Sequence, residues 1–324
     1  MDDFERNVHA CVSKWNKHIK HEETSSNVHH TLATMLVSRY ISRNMSKKIT
    51  ELPYIKTVVF TVKKTRVQLT TMSKSTEHHT DFFVNYTANC ITVIEGVFKK
   101  TTGEIKIILA LTDEKKRLPT KSTSTDKVFT AEHINSGLTL QVAKQAPVIL
   151  IYRKDEICKV ILHELLHAYS IHRSSYSSAI DEFLIHSYHI SLRDRQTLNI
   201  YESYVEALAL VINSVMYNKL FNDPKAFEKE TAHQLQTVHQ INSVKPYAES
   251  TNVFAYVHLK YSVLTRLDSI LKALKPNNYS LDKMELIMPP KNMRLSKNKC
   301  SYCSSNIRLN KMDIFKTYLK IQSK

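Results

Sequence analysis

The run Val160-Ile161-Leu162-His163-Glu164-Leu165-Leu166-His167-Ala168-Tyr169 constrains this chain more than any other stretch. Ile157, Val160, Ile161, Leu162, Leu165, Leu166 and Ala168 make the segment apolar nearly all round, so it reads as a buried helix. Asp155 is its expected N-cap, and Tyr169 its expected end. On that helix His163 and His167 stand one turn apart on one face, and Glu164 is rotated from His163 by about 100°. Two imidazoles and a carboxylate in apolar surroundings are costly unless something satisfies them. A metal ion does so. Both rings can reach one ion at the ~2.0–2.1 Å of a zinc–nitrogen bond, and Glu164 then lies beside the ion, placed to take a proton from water. Histidines merely hydrogen-bonded in a core are the alternative.

A catalytic zinc site takes three protein ligands and keeps a fourth position open. The best source of the third is Tyr201-Glu202-Ser203-Tyr204-Val205-Glu206-Ala207-Leu208-Ala209-Leu210. Glu202 and Glu206 lie four apart on one face of an otherwise apolar helix, where carboxylates are unfavourable without a partner. Across residues 147–215 the chain resembles gluzincin metallopeptidases, which carry His-Glu-x-x-His on one helix and a ligand Glu on a later one. The resemblance implies a zinc-dependent peptidase with His163 and His167 as ligands, Glu164 as general base and a downstream Glu as third ligand. Glu206, followed by Ala207 and Ala209, is the preferred third ligand, with Glu202 beside it. In the other gluzincin arrangement the ligand Glu is followed four residues later by an acid that orients a ligand His. That would make Glu202 the ligand and Glu206 its support.

Two related readings are weaker. A metzincin-like site needs a Gly and a His six residues after the second motif histidine; His172 comes five after His167, with no Gly between. Residues 163–169 and Glu182-Phe183 also resemble the SprT family, whose members cleave proteins crosslinked to DNA. That reading would take a ligand from His186 or His189, but the family's Gly-flanked third histidine is missing.

Composition narrows the classes further. With only 3 Gly among 324 residues, no glycine-rich phosphate loop can be written. The net charge of +16 favours acidic partners, but the lysines are spread along the chain. A solvated surface is therefore the first reading, and weak binding to nucleic acid or an anionic surface the second. A basic nucleic-acid-binding protein with a structural or vestigial metal site is the non-enzymatic competitor. The 5 Cys are odd in number and irregular in spacing, so no disulfide framework is expected, and Cys300-Ser301-Tyr302-Cys303 lacks a second pair to close a zinc site. The start Asp2-Asp3-Phe4-Glu5-Arg6 has no apolar signal core, and no uninterrupted apolar run reaches ~18 residues. The expectation is an intracellular protein without a membrane span.

Periodicity gives helices over 3–20 and 27–43, then strands over 54–62, 91–98, 105–111 and 147–152. A hairpin loop is expected at 99–103. Helices follow over 180–190, 198–220, 224–241, 252–274 and 312–321. The implied fold class is α+β and zincin-like: a mostly antiparallel sheet, a buried motif helix and a helical C-terminal portion. The expected division is 1–50 as N-terminal helices, 51–290 as the metallopeptidase domain and 291–324 as a basic tail. A peptide or protein substrate would lie along an edge strand, 105–111 or 147–152. Tyr169, Tyr256, His258 and Tyr261 are the candidate donors to a developing oxyanion.

Overall fold

A computed structural model describes residues 2–13, 19–25, 28–77, 79–116, 128–171, 178–188, 191–192, 198–242, 248–251, 253–274, 279 and 314–322. Cys300, Cys303, His172 and His189 lie outside them. The chain opens with α1 (Asp2–Val12), the short β1 (Glu22–Glu23), α2 (Val28–Leu36) and α3 (Arg43–Thr50). Next come β2 (Tyr54–Val62), β3 (Thr65–Ser73), α4 (Thr80–Phe98) and β4 (Glu104–Ala110). The middle holds β5 (Val128–Phe129), α5 (Ala131–Ile134), β6 (Gly137–Leu140), β7 (Val148–Ile151), α6 (Ile157–Ala168), α7 (Ser178–Tyr188) and β8 (Ser191–Leu192). The rest is helical apart from β9 (Ala248–Glu249): α8 (Tyr201–Phe221), α9 (Ala226–Asn242), a π-helical turn (Ala255–Leu259), α10 (Lys260–Thr265), α11 (Leu267–Leu274) and α12 (Ile314–Gln322).

The architecture is α+β, around a six-stranded sheet in the order β1-β2-β3-β4-β7-β6. β1–β2, β2–β3 and β6–β7 pair antiparallel; β3–β4 and β4–β7 pair parallel. The sheet is thus mixed rather than mostly antiparallel, and one misread segment accounts for the parallel β3–β4 pairing. Ile91–Phe98, expected as a strand, is the second half of α4. Its β-branched residues favour a strand locally, but Ile91, Val93, Ile94, Val97 and Phe98 are all buried, so tertiary packing overrides propensity. A helix there is a crossover, and it delivers β4 parallel to β3. The hairpin is instead β2–β3, turning at Lys63-Lys64 with Lys63 at φ 52°. Sequence signals missed it because neither residue is a usual turn former.

Helices cover both faces of the sheet. On one, Phe4 and Val8 of α1 join Phe83 and Ile94 of α4, Leu162 of α6, Leu208 of α8 and Phe315 of α12 in the main core. On the other, Leu32, Met35, Met45 and Ile49 of α2 and α3 pack against Ile108, Leu150 and Tyr152. Both the first helix and the last one therefore contribute to the core that carries the motif helix. The expected 252–274 helix is interrupted by the π-helical turn and again at Arg266. No helix among the described residues is long and apolar enough to cross a membrane.

Candidate metal centre

α6 follows β7 directly and packs along α8. Its N-cap position is held by Glu156 rather than Asp155, with a left-handed backbone at φ 76° and no side-chain cap. The Glu156 carboxylate instead receives Lys116 Nζ at 2.9 Å, both side chains being buried. From there the helix carries Lys159, His163 and His167 up one face at intervals of four, and α8 opposes it with Glu202 and Glu206.

The donors converge. His163 Nε2 and His167 Nε2 are 2.9 Å apart, and Glu202 Oε2 lies 3.3 Å from the first and 3.2 Å from the second. One donor atom from each residue falls within 4.8 Å of the others, so this group could hold a metal ion. Glu202 therefore shares the face on which the two Nε2 atoms meet. Glu206, the carboxylate preferred from sequence, sits one turn deeper, 3.2 Å from His163 Nδ1 without hydrogen-bond alignment. There it accepts two hydrogen bonds from Lys159 Nζ, each 2.8 Å. The alternative weighed from sequence, Glu202 on the donor face and Glu206 behind a histidine, is the arrangement the geometry favours.

Charge in this cluster is tightly balanced. Burial disfavours charging His163, but the carboxylates of Glu202 and Glu206 override it and push the ring up to about 10. Glu202 is buried too, yet His167 and His163 hold its carboxyl well below the usual range. Without a metal, these carboxylates thus favour the protonated form of His163. Two imidazoles and one carboxylate make a three-ligand set suited to zinc or a similar divalent ion.

Glu164 is not among the converging donors. Its Oε2 accepts from Thr139 Oγ1 at 2.7 Å, and its backbone carbonyl accepts from the same hydroxyl at 3.1 Å. Thr139 belongs to β6, which closes the sheet beside α6. A Cβ on Gly137 of that strand would come within 3.0 Å of Glu164 Oε1 and 2.9 Å of Val160 Cγ1, so only glycine lets strand and helix approach this closely. Sequence reading missed Gly137 and Thr139 because β6 is four residues long. It also missed Lys159, although a lysine on an apolar helix carries the signal that singled out the histidines.

His163, Glu164, His167 and Glu202 open on a cleft of about 320 Å³ between β6 and the segment containing Ser38 and Tyr40. The strands expected to border it, 105–111 and 147–152, are interior; the edge is β6. Of the expected oxyanion donors, Tyr256 lines this cleft, its ring 5.9 Å from that of His163. It stands on the π-helical turn, a rare geometry that often marks functional positions. Tyr169 points elsewhere, donating to Glu95 at 2.9 Å. His258 is buried and pushed down by burial to about 4, and Tyr261 packs on a separate small core around Val253 and Val257. His186 is exposed on α7, outside the donor group.

No protein-family model matches this chain, and no curated protein matches it.

Proposed function

We propose that this protein is a zincin-like, zinc-dependent metallopeptidase of the gluzincin type. One observation carries the reading: His163, His167 and Glu202 converge on one point, while Glu164 of the same motif stands in the same cleft with its carboxylate held off that point. His163, His167 and Glu202 would hold the ion. Zinc bound there supplies Lewis acidity for a carbonyl and acidifies water towards a pKa of about 7. Glu164 takes the proton of the attacking water and passes it to the leaving amine, while Thr139 fixes the carboxylate between the two transfers. Burial and the neighbouring carboxylates push the Tyr256 hydroxyl above its ordinary range, so it stays a donor available to the developing oxyanion. β6 is an edge strand of the sheet among the described residues, and its outer edge would offer backbone groups to an extended peptide. An SprT-like site would need a third histidine; among the described residues the third donor beside His163 and His167 is Glu202, which favours the gluzincin reading.

Elemental analysis of the purified protein, paired with cleavage of a mixed peptide library, tests the reading. The expected result is about one zinc per chain, retained in Glu164→Gln, with hydrolysis in that variant reduced by roughly 10²–10⁴-fold. A variant that loses zinc while peptides are still cut would overturn the role of Glu164. A wild-type protein that binds no divalent ion would overturn the metal centre.

A further inference from the structure

Behind the donor face lies a second rung that the proposed chemistry does not use. Lys159 and Glu206 are both buried, with side chains 4% and 3% exposed, and Lys159 grips both oxygens of the carboxylate. Lys159 stands one turn before His163 on α6, and Glu206 one turn after Glu202 on α8. The rung is therefore in register with the donor group, and it ends on the Nδ1 edge of His163. We infer that Lys159 is a positioning residue for the metal centre: it clamps Glu206 against the back of the His163 ring, and the ring's Nε2 is thereby aimed at the ion. This rests on the metal-centre reading above.

The Glu206 oxygen lies 3.2 Å from His163 Nδ1 without hydrogen-bond alignment, so it supports the ring by contact and charge, and a carboxylate free to swing about its own torsions would leave that edge unsupported. Two short bonds to a buried ammonium remove that freedom, and groups that orient a ligand histidine typically govern metal affinity by roughly 10–100-fold. A second buried lysine provides a contrast. Lys260 of α10 is fully buried and is attracted to Glu206, yet its Nζ makes no hydrogen bond among the described residues. It adds charge to the rung without fixing any group in place.

Chelator competition for Zn²⁺, together with the visible spectrum of the Co²⁺-loaded protein, tests this on the full chain. Lys159→Met is expected to weaken Zn²⁺ binding by roughly 10–100-fold and to alter the cobalt bands. Lys260→Met should leave both within about threefold of wild type. Breaking a buried pair can also unfold a protein, so Lys159→Met/Glu206→Gln is the second variant, removing both charges together. Its thermal midpoint should recover while its Zn²⁺ affinity stays low, because nothing then clamps the back of the ring. If affinity recovers along with the midpoint, the pair is merely structural and the inference falls. If Lys159→Met folds and binds Zn²⁺ like wild type, it falls as well. A wild-type chain that takes up neither ion would instead remove the metal centre itself, and the role of Lys159 with it.

Discussion

α4 and α6 are both buried helices in the main core, and each carries acidic groups into it, with opposite consequences. On α4, Glu95 is enclosed by complementary partners. Thr65 donates to its Oε1 at 2.8 Å and Tyr169 at 2.9 Å, and Lys63 lies 3.7 Å from Oε2. Every contact pairs a donor or a cation with the carboxylate, and the cluster is complete as it stands. Between α6 and α8, the polar groups converge: two ring nitrogens face each other at 2.9 Å, with a carboxylate oxygen of Glu202 beside both. Such a group could hold a cation in its midst. Burial of charge is therefore uninformative by itself; what separates the two clusters is that one gathers donors around an acceptor, and the other gathers atoms able to ligate an ion around one point.

The strongest way to break this contrast is to exchange the outcomes of two substitutions. Glu202→Ala should abolish stoichiometric zinc, a larger loss than the roughly 10–100-fold of a supporting residue, while circular dichroism stays that of a folded protein. Glu95→Ala should do the reverse: zinc content unchanged, and stability lower by about 1–3 kcal/mol as the buried Tyr169 hydroxyl loses its carboxylate acceptor. Denaturant titration of both variants alongside zinc analysis measures the pair. Zinc loss in Glu95→Ala, or retention in Glu202→Ala, would erase the distinction drawn between the helices.

A smaller effect is expected at the strand that closes the cleft. Gly137→Ala puts a methyl group within 3.1 Å of the Leu150 carbonyl as well as against Glu164 and Val160. Crowding of this kind costs about 1–3 kcal/mol. Because Glu164 is among the atoms displaced, turnover should fall with zinc content unchanged. Gly103→Ala, where nothing lies within 4 Å, is the matched control and should behave as wild type.

A last effect, gradual rather than abrupt, is a pH dependence of the metal-free protein. His163 rises from 6.5 to about 10 on folding, so its contribution to stability is full below pH 6.5 and is lost as pH rises through about 10. Glu202 moves the other way, down from 4.5; its contribution is present above that value and lost as pH falls towards the depressed one. Thermal midpoints of the metal-free chain should therefore decline from about pH 6.5 upwards. Added zinc should remove that decline, since the ion takes the place of the proton. A flat profile over pH 6.5–10 without metal would show that the histidine–carboxylate cluster is not charged in this way.

The fold was legible where local pattern and burial agree. β2 was readable over its whole length from β-branched and aromatic residues, and α6 from an apolar run too long for a strand. Legibility failed where they disagree. β3 was missed because its alternation is short: Val67 and Leu69 alternate with Arg66, Gln68 and Thr70, but Thr71 stands where the next apolar residue belongs. α4 was half misread because residues surrounded on all sides lose the amphipathic period that identifies a helix.

At the site, the residue order alone determined that His163 and His167 share a helical face and that Glu202 and Glu206 share another. Helical spacing is local, and no neighbour can alter it. Which carboxylate meets the two Nε2 atoms was decided by how far α8 slides along α6, a matter of packing between helices more than thirty residues apart in the chain. The same packing set Lys159 behind Glu206 and brought β6 against Glu164. Spacing along a chain fixes what can stand together on one element; only the contact between elements fixes what those residues face.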